Sequence, residues 1–262
     1  MGGRPAVLVI AGTDSSGGAG IVRDLRVLAD LDVGALCAVT AVTALTHGAL
    51  VGVHHVPPDA VRAQIGAALE SPGIGAIKIG MLGTAATVRA VADALPRNGT
   101  LPIVLDPVLL SSSGGVLLDE AGRAEMLARL FPLAAVLTPN IPEAASLCGT
   151  PPAAGPEALV AQARTLLATG ARAVLLKGGH GEGPQAVDLL LCAEGAPIWL
   201  SSPRIEVRCR GTGCALASAI AAGLATGASV ETACRAAKQY VSSMLGARAA
   251  SEAPRHLADR SL

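Results

Sequence analysis

Arg210-Gly211-Thr212-Gly213-Cys214, continued as ALASAIAAGLATG through Gly227, is the stretch on which the reading of this chain turns. Two glycines flank a threonine after a β-like segment, Ile205 to Cys209, and an almost uncharged run of small residues follows. Glycine lets successive backbone N–H groups turn toward one point. A helix beginning there adds unpaired N–H donors and the positive end of its dipole. The combination predicts an anion pocket of the kind that takes phosphate, with Cys214 in the first turn beside it. Glycines before a helix also serve as a plain turn, so this stretch alone does not decide between the two. The uncharged run Gly211 to Val230 is long enough on paper to cross a bilayer. Its content of Gly, Ala, Ser and Thr, with few Leu or Ile, predicts instead a buried helix packed closely on a sheet.

Composition agrees with one α/β domain over residues 1–262. Hydrophobic residues make up 51%, but Phe, Trp and Tyr occur once each, so the core must be aliphatic. Too few aromatic faces are present for a nucleic-acid stacking platform. The formal net charge of +0 and the lack of a basic run give no electrostatic reason to expect nucleic acid or an acidic membrane. Six cysteines with no CxxC spacing read as reduced thiols of a cytoplasmic protein. The apolar run near the N-terminus is too short and wrongly flanked for a signal peptide. Position 6 is Ala where a myristoylation signal wants Ser or Thr.

Working outward, continuous apolar runs alternate with amphipathic stretches. Ala6 to Ala11 (AVLVIA), Ile74 to Ile79, Leu101 to Leu105, Ala134 to Leu137 and Ala173 to Lys177 read as strands buried on both faces. Ala35 to Leu45 and Leu50 to Val56 read as a small flap, with His54 and His55 on a solvated edge. Val187 to Cys192 and Pro197 to Leu200 read as a hairpin. Helices are expected over Ala19 to Leu31, with Leu25 and Leu28 facing inward, Pro58 to Glu70, Thr84 to Leu95, Asp119 to Leu130, Pro156 to Thr169 and Glu231 to Leu245. A tail follows from about Ala250. Such alternation implies a mainly parallel sheet with helices on both faces.

Several polar groups then fall just past strand ends, where α/β sheets bind ligands. Asp14 follows the first strand in a loop, Gly12 to Gly20, that lacks the spacing of a dinucleotide fingerprint and the GK[ST] of a P-loop. Asp106 follows LPIVL and suits magnesium or phosphate-bound water; a turn or cap role is the lesser alternative. Asn140 and Glu143, three apart, share a helix face or form a capping box. Lys177, followed by Gly178-Gly179-His180, suits a phosphate as a point charge. Their convergence on one sheet edge counts for more than any single motif.

Together these stretches resemble the hydroxymethylpyrimidine/phosphomethylpyrimidine kinase family of the ribokinase-like superfamily, over about residues 5 to 250. The resemblance lies in Ala11-Gly12-Thr13-Asp14-Ser15-Ser16-Gly17-Gly18-Ala19-Gly20, Lys78-Ile79-Gly80-Met81-Leu82, Asp106-Pro107-Val108, Thr138-Pro139-Asn140 through Glu143-Ala144, Lys177-Gly178-Gly179-His180 and Gly211-Thr212-Gly213-Cys214, in that order. It implies a three-layer α/β/α sandwich and transfer of phosphate from ATP, with Mg2+, to the hydroxymethyl group of 4-amino-5-hydroxymethyl-2-methylpyrimidine and its monophosphate, in thiamine synthesis. Gly211, Thr212, Gly213 and Cys214 would form the anion hole. Cys214, where the superfamily often has an Asp base, would take the substrate proton through a thiol lowered by the helix terminus. Lys177, Thr212, Asn140 and Arg210 would meet ATP, and Asp106 and Glu143 the metal. Gly12, Asp14, Gly18, Leu45 and Met81 would line the substrate pocket. A homodimer is the implied assembly. Three departures stand out: Leu45 replaces the Gln that hydrogen-bonds the aminopyrimidine, Arg210 replaces a His, and Gly115 replaces the Asp of an SGD loop. They leave open a related kinase with an altered substrate, such as a pyridoxine-like or secondary-metabolite alcohol. A non-catalytic ligand-binding protein on the same scaffold is the reading from another class.

Overall fold

The computed structural model describes residues 4–45, 50–96, 99–111, 114–179 and 183–252, with Leu45 and Leu50 described in their backbone only. Nine strands form one sheet: β1 (Ala6–Asp14), β2 (Gly34–Leu45), β3 (Leu50–His55), β4 (Ile74–Ile79), β5 (Ile103–Leu105), β6 (Val136–Leu137), β7 (Ala173–Leu176), β8 (Gln185–Cys192) and β9 (Ile198–Pro203). The order across the sheet is β3-β2-β1-β4-β5-β6-β7-β8-β9. The centre from β2 to β7 is parallel. The edges are antiparallel: β3 against β2, and the β8–β9 hairpin against β7. The expected flap is thus the edge of the main sheet rather than a separate leaf, since β2 also pairs with β1 as far as Asp14↔Thr43.

The continuous apolar run of β1 has a simple cause. Side chains alternate across a strand, and both faces here are covered. Leu8 and Ile10 enter one aliphatic core, while Val7, Val9 and Ala11 enter the other. The first core is closed by α2 (Pro58–Leu69), α3 (Ala85–Ala94), α4 (Glu120–Arg129), α5 (Ile141–Cys148) and α6 (Pro156–Leu167). The second is closed by α1 (Gly20–Asp30), α7 (Thr212–Ala225) and α8 (Val230–Glu252). Three layers result, as the resemblance implied.

Small residues let α7 sit deep. Nine of its fourteen residues are buried, and at Gly223 a Cβ would come within 2.9 Å of Ala233 Cβ on α8. This is the uncharged run that imitates a membrane span; no described helix is long and apolar enough to cross a membrane. Thr84 caps α3 by accepting from Thr87 N–H, and Asp119 caps α4 by accepting from Gly122 N–H.

Three local expectations fail. Leu25 is 38% exposed, and the inward face of α1 carries Ile21, Asp24, Val27 and Leu28 instead. Asp24 takes the inward position because Lys78 of β4 meets it there at 2.7 Å. Residues 205–209 pair with no strand and run as irregular backbone into α7. The closing helix continues well past Leu245, to Glu252. His54 and His55 are exposed on β3, as expected. His180, most of the tail and part of the loop 111–115 lie outside the described residues.

Candidate active site

The parallel strands all end on one edge of the sheet, and the loops leaving them surround a cleft of about 870 Å³. Its walls include Asp14, Met81, Asp106, Lys177 and Cys214.

Beyond β5, Asp106 Oδ1 accepts from Lys177 Nζ at 2.7 Å and from Thr138 Oγ1 at 3.1 Å. Lys177 also stands 3.9 Å from Glu143 Oε2. Its backbone is fixed where the Lys177 N–H donates to Pro139 O at 2.9 Å. Asn140 and Glu143 do form a capping box: Glu143 N–H donates to Asn140 Oδ1, and Asn140 N–H to Glu143 Oε2, both at 2.8 Å. The two sequence readings of this pair coexist, because the box leaves Glu143 facing Lys177. Burial pushes the Glu143 carboxyl above its ordinary value, against the opposing pull of Lys177. Burial works to lower Lys177, yet Asp106 and Glu143 hold its ammonium above the usual lysine value. The lysine is a firmly charged cation at the head of the anion loop.

The loop itself has the expected geometry. Gly211, at φ +74°, is the residue before α7. A Cβ on it would lie 2.3 Å from Gly18 O, so only glycine fits between the two loops. A Cβ on Gly213 would meet Lys177 Nζ at 3.1 Å and Asp106 Oδ2 at 3.6 Å. The start of α7 therefore faces the lysine and the Oδ2 flank of the Asp106 carboxylate across a narrow gap. N–H groups at a helix start, a charged lysine and a carboxylate converge on one volume, which is suited to a polyphosphate.

Cys214 corrects the sequence reading. Its thiol was expected below the ordinary value; burial instead pushes it up to about 11. Lys78 and the Gly20 N–H both favour the thiolate, but burial outweighs them.

The loop after β1 forms the opposite wall. Asp14 Oδ1 accepts from Ser16 N–H at 2.9 Å. Gly12 packs on Met81, where a Cβ would meet its Sδ at 3.0 Å, and Thr40 Oγ1 holds Met81 O at 2.6 Å. Gly18 lies against Arg210, whose Cβ would stand 3.5 Å from a Gly18 Cβ. Arg210 is turned toward this wall: its Nη2 donates to Asp14 Oδ2 at 3.2 Å and its Nη1 to Ser16 Oγ at 2.9 Å. Arg210 also lines the cleft shared with Lys177 and Thr212. Leu45 ends β2 with its backbone paired to Leu50; its side chain lies outside the described residues.

Sequence reasoning missed a buried group under the site. Lys78 and Asp24 are both fully buried, and Asp24 Oδ1 accepts from Ser218 Oγ at 2.8 Å. Ser218 follows Cys214 by one helical turn on α7. The signal was present as a single charge inside the apolar strand IGAIKI.

An open parallel sheet with an anion loop, lysine and carboxylates at its carboxyl edge defines a ribokinase-like phosphotransferase. The comparisons agree. Residues 14–255 match the phosphomethylpyrimidine kinase family. The chain is 43% identical over 245 residues to a hydroxymethylpyrimidine/phosphomethylpyrimidine kinase of Streptomyces coelicolor, covering 93% of this chain and 89% of that protein. It is 41% identical over 241 residues to the enzyme of the same description from Rhizobium meliloti, covering 92% and 90%. Among solved structures, the phosphomethylpyrimidine kinase of Clostridium difficile matches with a TM-score of 0.80 at 31% identity, covering 92% of this chain and 100% of that one. The pyridoxal kinase of Staphylococcus aureus in complex with pyridoxal matches with a TM-score of 0.85 at 30% identity, covering 94% and 89%. This chain belongs to the phosphomethylpyrimidine kinase family.

Proposed function

We propose that the protein transfers the γ-phosphoryl group of ATP to the hydroxymethyl group of 4-amino-5-hydroxymethyl-2-methylpyrimidine, and then to the resulting monophosphate, in thiamine biosynthesis. The single observation carrying this is the Gly211–Cys214 loop facing Lys177 and Asp106 across one cleft. Relatives above 40% identity bearing that name support the substrate.

The chain's own groups have clear tasks in this reading. The N–H groups of the α7 start and the Lys177 ammonium receive the charge that gathers on the phosphoryl oxygens. The substrate oxygen forms its bond to the γ-phosphorus as the bond to the ADP oxygen breaks. The hydroxyl proton passes to Cys214 Sγ, acting as thiolate. Asp14, Gly12, Gly18 and Met81 hold the ring side of the alcohol, with Arg210 fastening Asp14. Thr212 and Asn140 belong to the ATP side.

Among the described residues, no cluster of three or more His, Cys, Asp or Glu stands ready for a metal. Magnesium usually keeps several waters and takes one or two carboxylates together with phosphate oxygens. Asp106, whose Oδ2 faces the anion loop, and Glu143 fit that demand. Bound there, magnesium would offset phosphate charge. A cytoplasmic homodimer is the assembly we infer for the working enzyme.

The test is ADP release from ATP and magnesium with the pyrimidine alcohol, its monophosphate and pyridoxine. Turnover of either pyrimidine above pyridoxine supports the proposal; turnover of pyridoxine alone refutes it. The second reading, a pyridoxine-like alcohol, is favoured by the close match to pyridoxal kinase structures. It is also favoured by Leu45, which can neither donate nor accept a hydrogen bond. Leu45→Gln is expected to raise kcat/KM for the pyrimidine about tenfold, the scale of one regained polar contact. No gain would place pyrimidine recognition elsewhere.

A further inference from the structure

A buried ion pair lies beside the cleft with no part in the chemistry described above. Asp188 on β8 is 5% exposed and Lys238 on α8 is 8% exposed. Both line the cleft. Lys238 Nζ donates to Asp188 Oδ2 at 2.7 Å. The other carboxylate oxygen, Oδ1, accepts from Gly178 N–H at 2.9 Å. Gly178 is the residue directly after Lys177. A Cβ on Gly178 would lie 1.9 Å from Val187 O, so the backbone here lies flush against β8.

The segment is also held from its far side. Arg204, just past β9, donates through Nη1 to Gly179 O, through Nε to Gly183 O at 2.7 Å and through Nη2 to Gln185 O at 3.0 Å. Upstream, Lys177 N–H is held by Pro139 O. The residues around Lys177 are therefore tied to the loop after β6, to the β8–β9 hairpin and to α8.

A buried ion pair is weak as a source of stability, because desolvation offsets its attraction. Its retention here has a different explanation. A carboxylate that accepts a backbone N–H next to the phosphate-binding lysine fixes where that lysine's Cα stands. The ammonium must then meet Asp106 at hydrogen-bonding distance while facing the anion loop. We propose that Asp188 is a positioning residue for ATP: it holds the Lys177–Gly178 backbone in register with the anion loop, and Lys238 on α8 holds Asp188. The proposal rests on the reading of Lys177 as a phosphate ligand. It predicts a defect in ATP use rather than in alcohol use, because the alcohol side, at Asp14 and Met81, is built from other loops.

The experiment compares Asp188→Ala, Asp188→Asn and Lys238→Met with the parent. Steady-state rates are measured against ATP and against the alcohol separately, and binding of a non-hydrolysable ATP analogue is measured by calorimetry. Asp188→Ala is expected to raise KM for ATP ~30-fold, with KM for the alcohol within ~2-fold. Asp188→Asn keeps a carbonyl oxygen for the Gly178 N–H and should recover most of that loss. Lys238→Met, which leaves the backbone contact in place, should fall between. A purely structural role would lower the active fraction and leave both KM values unchanged; that result, or equal ATP KM values in Asp188→Ala and Asp188→Asn, overturns the proposal. Where Asp188→Ala does not fold, the other two variants decide: an unchanged KM for ATP in both overturns it. If no alcohol is phosphorylated at all, the kinase reading fails first. Calorimetry then decides the clamp separately, with weaker analogue binding in Asp188→Ala supporting it and equal binding refuting it.

Discussion

Cys214 shows how burial and neighbouring donors compete over one atom. Lys78 and the Gly20 N–H favour its thiolate, while burial pushes the thiol up to about 11. At neutral pH the resting thiol is protonated, so a rate that needs the thiolate must climb with pH. We expect kcat to rise up to tenfold per unit between pH 7 and 9, since each unit below the pKa changes the thiolate fraction tenfold. Cys214→Asp, with a carboxylate already ionised in this range, should flatten the profile. A flat profile in the parent enzyme would remove Cys214 as the proton acceptor and leave it a hydrogen-bonding neighbour of the phosphoryl group. The residue type was legible in the sequence, but its ionisation was not. The sign depends on how deeply α7 is sunk, which only the packed structure supplies.

At the scale of elements, the loop before α7 and the loop after β1 are in backbone contact, and this fixes what each glycine tolerates. Gly211→Ala combines a left-handed φ with a Cβ 2.3 Å from Gly18 O. The conformational penalty alone is ~1–2 kcal/mol, and the loops must also part. We expect kcat/KM to fall ~100-fold or more, since misplacing reacting groups by an ångström is that costly. Gly213→Ala meets the movable end of Lys177 closely and Asp106 Oδ2 only at ordinary contact distance, so its loss should be smaller by ~10-fold or more. Kinetics of the two variants side by side check the order. Elements were largely legible in advance: buried parallel strands, the hairpin, and the strand ends that carry Asp106 and Lys177. Beyond the irregular 205–209 segment and the longer closing helix, the failures fell where a partner is remote in sequence. Asp24 displaced Leu25 from the inward face of α1 because Lys78 lies 54 residues away. Asp188 escaped notice because Lys238 lies 50 residues away.

For the whole molecule, two aliphatic cores sandwich the sheet, and the fully buried pair Lys78–Asp24 sits under the active edge. Burial works to lower the Lys78 pKa, yet Asp24 more than offsets it and holds the ammonium above its ordinary value. The Lys78 contribution is therefore fully present below the ordinary lysine pKa and is lost as pH rises through its raised value. Burial pushes the Asp24 carboxyl up, so that the ion pair itself is lost earlier on acidification than one with an ordinary aspartate. Breaking the pair by Asp24→Ala strands a buried ammonium and should cost ~3–5 kcal/mol. Replacing both partners, Asp24→Leu with Lys78→Met, should cost clearly less, because no charge is left unpaired. Urea unfolding of both variants at pH 7 measures this. If the double variant is as unstable as the single one, packing rather than charge explains the cost.

The central claim is phosphoryl transfer to a hydroxymethyl oxygen, and the most direct measurement is the mass of the product. The pyrimidine alcohol is incubated with ATP and magnesium, and the products are separated and weighed. The account predicts one added phosphoryl group on the alcohol, then a second on the monophosphate, each matched by one ADP. An unmodified alcohol and monophosphate after full incubation, with ATP still bound by the protein, would contradict it.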